Sequence, residues 1–380
     1  MRCSALLLSL AIGVSPFPLA IAACTPGQVA LRPGFGLAVQ TPAPAEPTPA
    51  ASPLPAPSTA PVADVIAGAE AAGFVDARGT AARFNDPLGL AVAADGGLLV
   101  ADRLNHRVRR VAPDGAVTTL AGSGVTGFLD GTAATARFQE PTAVVVDAQG
   151  YIYVADPFNH RVRRIATDDH GDLTVATLVG GPEAGSADGV GATFDHPYAL
   201  ALDDRHHLFV AERFGQTLRM VTLDAGGRVK DVRTIAGAYE RTGSVDGAGA
   251  TARFARPAAL AWDARVKDHT VLLIAEDQGC ALRRVDVDAA GSATVSTLNG
   301  PNPSCGDFDG PIETARFDRP QGLLVDPTRG LVLADGAKGT LRTFPAAASP
   351  LRLQAPGGLV AAPGGALYVT DGNRVRRVSF

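Results

Sequence analysis

The sequence predicts an all-β chain: a six-bladed β-propeller closed by an N-terminal strand and preceded by a signal peptide and a Pro/Ala-rich linker. Three observations predict it. The stretch ARFQEPTAVVVDAQGYIYVADPFNHRVRRI (136–165) returns in close variants beginning at Ala82, Ala252 and Ala315, and in degraded form at Ala192 and Leu351. Each copy reads as an apolar run, a turn, an alternating run ending on an acid, a second turn and a basic return. A fourth strand follows in most copies, as VTTLAG (117–122), ATLVG (176–180), VRTIAG (232–237) and VSTLNG (295–300). Four strands per copy at a steady period is how propeller blades appear in a sequence.

In chain order, residues 1–23 carry one early charge, Arg2, and then an apolar run ending in Ile21-Ala22-Ala23-Cys24. This reads as a secretory signal peptide. Ile-Ala-Ala-Cys resembles a bacterial lipobox, in which Cys24 becomes the lipidated first residue; ordinary cleavage after Ala22 is the alternative. Pro16 and Pro18 interrupt the run, which argues against a permanent transmembrane helix. Residues 24–62 turn to Pro, Ala, Thr and Ser, a composition that buries no core and stays extended. Twenty such residues at about 3.1 Å each reach roughly 60 Å, enough to hold a globular head clear of a membrane. The expected site of action is therefore the bacterial outer membrane or periplasm, with the membrane met only through a lipid anchor.

Residues 63–380 hold the propeller. A proline opens each inner strand: Pro87, Pro141, Pro197, Pro257, Pro320 and Pro356. The count is six, and the last blade stops after three strands. Ala63–Gly68 matches the fourth-strand pattern yet precedes the first blade, so pairing it beside the last blade closes the ring and covers an open edge. The formal net charge is −4 with only three lysines, Lys230, Lys267 and Lys338. A nucleic-acid binder normally presents a basic face, so no nucleic-acid partner is expected. The globular part is expected to be a monomer.

The second turn of the repeat reads Asn105-His106-Arg107 and Asn159-His160-Arg161. The unit resembles the NHL repeat, named for Asn-His-Leu in that turn, over nearly all of residues 63–380. The resemblance implies the propeller strongly and the function weakly, because members include RNA binders, protein-binding scaffolds and a few lyases.

Recurrence separates scaffold from site. An acid ends every second strand (Asp102, Asp156, Glu212, Glu276, Asp335, Asp371), and an arginine follows in every third (Arg109, Arg163, Arg219, Arg283, Arg342, Arg376). A pair repeated in every blade is architectural. Phe84, Phe138, Phe194, Phe254 and Phe317 read as plugs between blades. Where the copies differ on one face, binding is expected. The residues flanking the blade prolines vary and should rim the channel mouth: Asp86, Glu140, His196, Arg256 and Arg319 before them, Tyr198 and Gln321 after them. The loop tips Arg103, Phe158, Arg213, Phe214 and Asp277 join that face, Phe158 and Phe214 as exposed aromatics of a contact surface.

The inner strands open on small apolar residues and offer no carboxylate or amide at channel depth. Six-bladed lactonases hold calcium there, and the related lyases hold zinc on histidines. Here His106 and His160 are repeat residues, and His196 alone stands at the mouth, too few for a zinc site. No catalytic residue, cofactor or metal is therefore expected. The function read from the sequence is a non-catalytic scaffold that binds a protein, peptide or glycan of the cell envelope on its loop face. The alternative is a metal-assisted lactonase or lyase acting at the mouth around Glu140 and His196. Two cysteines remain, Cys280 and Cys305, in loops of blade four that share one face; an oxidising compartment favours a disulfide between them. Two free thiols or a two-cysteine metal site are the alternatives.

Overall fold

The computed structural model describes residues 61–301, 303–345 and 350–380. The expected signal peptide, the lipidation at Cys24 and the tether up to residue 60 fall outside these residues. Among the described residues six separate sheets form, each built around one copy of the repeat. In blade two the strands run from the centre outwards as Ala143–Val146, Ile152–Asp156, Arg161–Thr167 and Leu173–Gly180, with Gly131–Thr132 added at the outer edge. The turn between the first two is closed by Asp147, whose Oδ1 accepts the backbone N–H of Gln149 at 3.0 Å and of Tyr151 at 2.8 Å. Gly150 supplies the left-handed step there, with φ at 86°.

The prolines that open the inner strands lack the N–H that an antiparallel ladder needs, so Pro87, Pro197, Pro257, Pro320 and Pro356 sit at strand ends and Pro141 lies just before Ala143–Val146. Register shifts follow directly, at Pro87/Leu90, Pro197/Ala199, Pro257/Ala259, Pro320/Gly322 and Pro356/Leu359. The ring closes as expected. Val62–Gly68 pairs antiparallel with Arg374–Ser379, from Val62↔Ser379 to Gly68↔Arg374, and becomes the fourth strand of the last blade. Blade five gains its own short fourth strand from Leu351–Arg352.

The core lies between blades. Phe138 packs with Leu99 and Val108 of blade one and with Val144, Val154 and Ile165 of blade two. Phe84, Phe138, Phe194, Phe254 and Phe317 are all wholly buried, each plug contributing about 1.5–3 kcal/mol. Leu353 holds the same place at the junction of blades five and six, where the plug is only partly buried.

Beside each plug lies the repeated acid and arginine. In blade two, Arg163 donates to Asp156 at 2.9 Å, to the carbonyls of Arg137 and Leu129 at 2.9 Å, and to Asp130 at 2.5 Å. Asp156 also accepts the backbone N–H of Gln139 at 2.7 Å. One pair thus ties its own hairpin to the segment arriving from the previous blade. Both side chains are fully buried, so each charge depends on the other for its solvation. Equivalent contacts occur in the other blades, from 2.6 Å at Arg376–Asp371 to 3.6 Å at Arg342–Asp335. Cys280 and Cys305 form the disulfide, with Cα atoms 5.1 Å apart.

Candidate functional site

The inner strands enclose an axial bore of about 420 Å³ walled mostly by Ala, Val, Leu and Gly. Thr142, Tyr198, Trp262 and Gln321 are also in its lining, the last an amide where the sequence predicts none. At its mouth the strands come close together. A Cβ on Gly89 would stand 2.7 Å from Ala143 Cα, and one on Gly322 or Gly358 would meet the carbonyl of Gly357 or Leu88. Glycine is required at these positions by backbone approach. Thr142 Oγ1 donates to the Tyr198 carbonyl at 2.7 Å and Thr370 Oγ1 to the Leu88 carbonyl at 3.0 Å, stitching neighbouring strands together.

Above this neck lies a polar cavity of about 360 Å³. Asp86, Arg103, Phe158 and His196 line it together with Tyr198, Arg213, Phe214 and Gln321, all expected from the sequence; Leu88, Thr142 and Pro157 complete the wall. Arg103 bridges Asp86 and, at 3.1 Å, Glu140. Arg213 pairs with Asp277 and lies over the Tyr198 ring at 4.4 Å. Burial pushes the Tyr198 phenol up from its ordinary range, so its hydroxyl stays neutral. Arg256 does not line the cavity; its guanidinium stands 5.5 Å from the centre of the Phe214 ring. Arg319 is exposed and does not line the cavity. Arg103, which comes from blade one itself, thus sets an arginine between the acids of blades one and two.

The mouth residues before the prolines share a backbone property. Asp86, Glu140, His196, Arg256 and Arg319 all have φ between 53° and 56°. A left-handed non-glycine residue costs about 1–2 kcal/mol, so something must hold it. In three of the five junctions the holder is a side chain from the preceding blade, taken from the residue just before its third strand. Asn373 Oδ1 accepts the Asp86 N–H at 2.9 Å, His106 Nδ1 that of Glu140 at 3.1 Å, and Gln216 Oε1 that of Arg256 at 2.8 Å. Between blades four and five the holder's place is occupied by Cys280, and the disulfide ties that loop instead.

The junction of blades two and three departs from the rule. His160 is the holder by position, yet its Nδ1 is buried with no hydrogen-bond partner. Its ring meets that of His196 edge-on, with centroids 4.8 Å apart. Asp195 bonds His196 Nδ1 at 2.8 Å and stands 3.9 Å from His160 Nδ1. Burial first, and then the neighbouring His196, lowers the pKa of His160 below the ordinary imidazole range. Phe158 and Phe214 flank His196, at 5.0 and 4.3 Å. The sequence reading placed His196 at the mouth but assigned His160 to the scaffold and passed over Asp195. The adjacent Asp-His pair was the available signal, because the same two positions read Asn-Asp, Gln-Glu, Ala-Arg, Asp-Arg and Gln-Ala in the other copies.

Residues 84–111 match the NHL repeat. Over 104 residues the chain is 34% identical to Protein SUPPRESSOR OF QUENCHING 1, chloroplastic, of Arabidopsis thaliana, a stretch amounting to 27% of this chain and 10% of that protein. Over 159 residues it is 30% identical to NHL repeat-containing protein 2 of Gallus gallus, covering 38% of this chain and 22% of that one. The chain thus covers only 10% and 22% of the length of these two relatives. Among solved structures, a gluconolactonase from Xanthomonas campestris superposes with a TM-score of 0.51 at 16% identity, covering 78% of this chain and 86% of that one, a likeness of fold. The chain is a six-bladed β-propeller with an NHL repeat matched at residues 84–111.

Proposed function

We propose that this chain is a non-catalytic binding propeller, exported and lipid-anchored in the bacterial envelope, which recognises a protein, peptide or glycan at its mouth. The observation that carries the reading is the pairing of the mouth charges. Arg103 already engages Asp86 and Glu140, and Arg213 already engages Asp277. Charges paired in this way are fixed in place, and a recognition surface gains from side chains locked beforehand. Phe158 and Phe214 add exposed aromatic faces of the kind that stack on peptide rings or on the apolar faces of sugars.

Peptide and glycan libraries presented to the wild-type protein and to a Phe158→Ala/Phe214→Ala variant test this. Binding that the variant loses by about tenfold or more supports the reading, corresponding to about 1.4 kcal/mol. Equal binding by both, or turnover of lactones by the wild type, overturns it. The anchor is tested separately: Cys24→Ser should move the protein from the membrane fraction to the soluble fraction.

A further inference from the structure

We propose that the junction of blades two and three is a zinc-class divalent-cation site, with His160 Nδ1, Asp195 and His196 as its three protein ligands. The ligand atoms of these three residues lie within 4.8 Å of one another. Zinc sits about 2.0–2.2 Å from nitrogen and oxygen ligands, so the atoms of a tetrahedral site stand about 3.3–3.5 Å apart. The contacts here, 2.8 Å from Asp195 to His196 and 3.9 Å from Asp195 to His160, straddle that value. Tetrahedral spacing requires the Asp195–His196 contact to open and the Asp195–His160 contact to close. Two imidazoles and one carboxylate suit zinc and its neighbours, whereas calcium and magnesium take oxygen ligands.

The independent observation is the orphaned nitrogen. Among the described residues, His160 Nδ1 is the one buried ring nitrogen without a partner. The repeat shows what it would otherwise be doing, because His106 Nδ1 accepts the N–H of Glu140 at the preceding junction. A lone pair that a neighbouring copy satisfies, left unsatisfied beside a carboxylate and a second imidazole, is the arrangement a metal ion completes.

Supporting bonds hold the ligands in place. The backbone N–H of Asp195 donates to Glu212 at 2.6 Å, and that of His160 to the Pro157 carbonyl at 3.0 Å. Such outer contacts orient metal ligands. His196 also lines the mouth cavity, which therefore lies beside the proposed ion. There a water, or a carboxylate or imidazole of a bound partner, would complete the tetrahedron. This inference concerns the ion alone and does not require the proposed envelope ligand.

The test is Co²⁺ and Zn²⁺ titration of the chelator-stripped full chain. The wild type should bind one equivalent of Co²⁺ with the intense visible absorption of a tetrahedral centre, and Zn²⁺ should displace it. His160→Ala should weaken Zn²⁺ binding at least about 100-fold, since changes even in outer contacts cost 10–100-fold. His106→Ala should leave binding unchanged. If His160→Ala fails to fold, Asp195→Asn is read in its place and should lose the tetrahedral spectrum. No tetrahedral spectrum in the wild type, or equal affinity in wild type and folded variant, overturns the site.

Discussion

Two junctions of this ring are built on the same three residues and end differently. Asn105-His106-Arg107 joins blade one to blade two, and Asn159-His160-Arg161 joins blade two to blade three. The asparagines do the same work: Asn105 Nδ2 donates to Asp102 at 2.8 Å and to the Gly73 carbonyl at 2.8 Å, Asn159 Nδ2 to Asp156 at 2.8 Å and to the Gly127 carbonyl at 2.9 Å. The arginines also match, Arg107 lying 3.8 Å over Phe74 and Arg161 3.9 Å over Phe128. Only the histidines part company. His106 holds the backbone of Glu140, whereas His160 faces His196 and Asp195 with its acceptor unused. A repeat therefore makes a candidate site by changing the partner of a repeated residue while the residue itself stays.

If the junctions are equal beneath the surface, removing the arginine under each should cost the same. Arg109→Ala strands Asp102 and Arg163→Ala strands Asp156, each a fully buried carboxylate. Each should lose about 3–5 kcal/mol in urea unfolding. Losses differing by more than about 1 kcal/mol would break the claim of a common scaffold.

A third junction sharpens the contrast, because Cys280 occupies the histidine's place and bonds Cys305 across a separation of 25 residues. Cys280→Ala/Cys305→Ala should lose about 3 kcal/mol by the chain-entropy estimate, read as a lower melting temperature than that of the non-reduced wild type. Equal melting would mean that the covalent tie adds nothing to what the blades already hold.

The histidines come next in size. His106→Ala removes the acceptor of the left-handed Glu140 N–H and should cost about 1 kcal/mol. In metal-free protein His160→Ala removes no hydrogen bond at Nδ1 and should cost less. The reverse order in denaturant titrations would sink the distinction between the two junctions.

The difference in legibility has the same source. The blades, the closing strand at residues 62–68, the plugs and the cysteine pair could be read from the chain because each follows a period or a missing member of one. Most of the mouth was readable as the place where copies disagree. His160 was hidden because it agrees with His106, and recurrence marks it as scaffold. Arg319 is the opposite case: it varies like a site residue and stands exposed outside the lining of the mouth cavity. Side-chain direction and cross-blade pairing are tertiary facts that no single copy contains.

The smallest expected effect concerns the acids beneath the blades. Burial pushes both Asp156 and Asp335 up to about 6, against the attraction of their arginines. Asp335 is the cleaner test, because Arg342 stands 3.6 Å from it and is shared with Asp307 at 2.5 Å and Asp309 at 3.3 Å. An unfolded aspartate titrates near about 3.9. Between that value and about 6 the folded chain holds a proton that the unfolded chain has lost. The contribution of Asp335 is therefore fully present below the unfolded value and is lost as pH rises through 6. Asp335→Asn cannot titrate, so the stability of wild type minus variant should fall between pH 4 and pH 7 and then level off. Arg163 stands 2.9 Å from Asp156 and remains in both proteins, so its blade cancels in the subtraction. A difference that stays flat across this window would mean that Asp335 remains ionised despite its divided arginine.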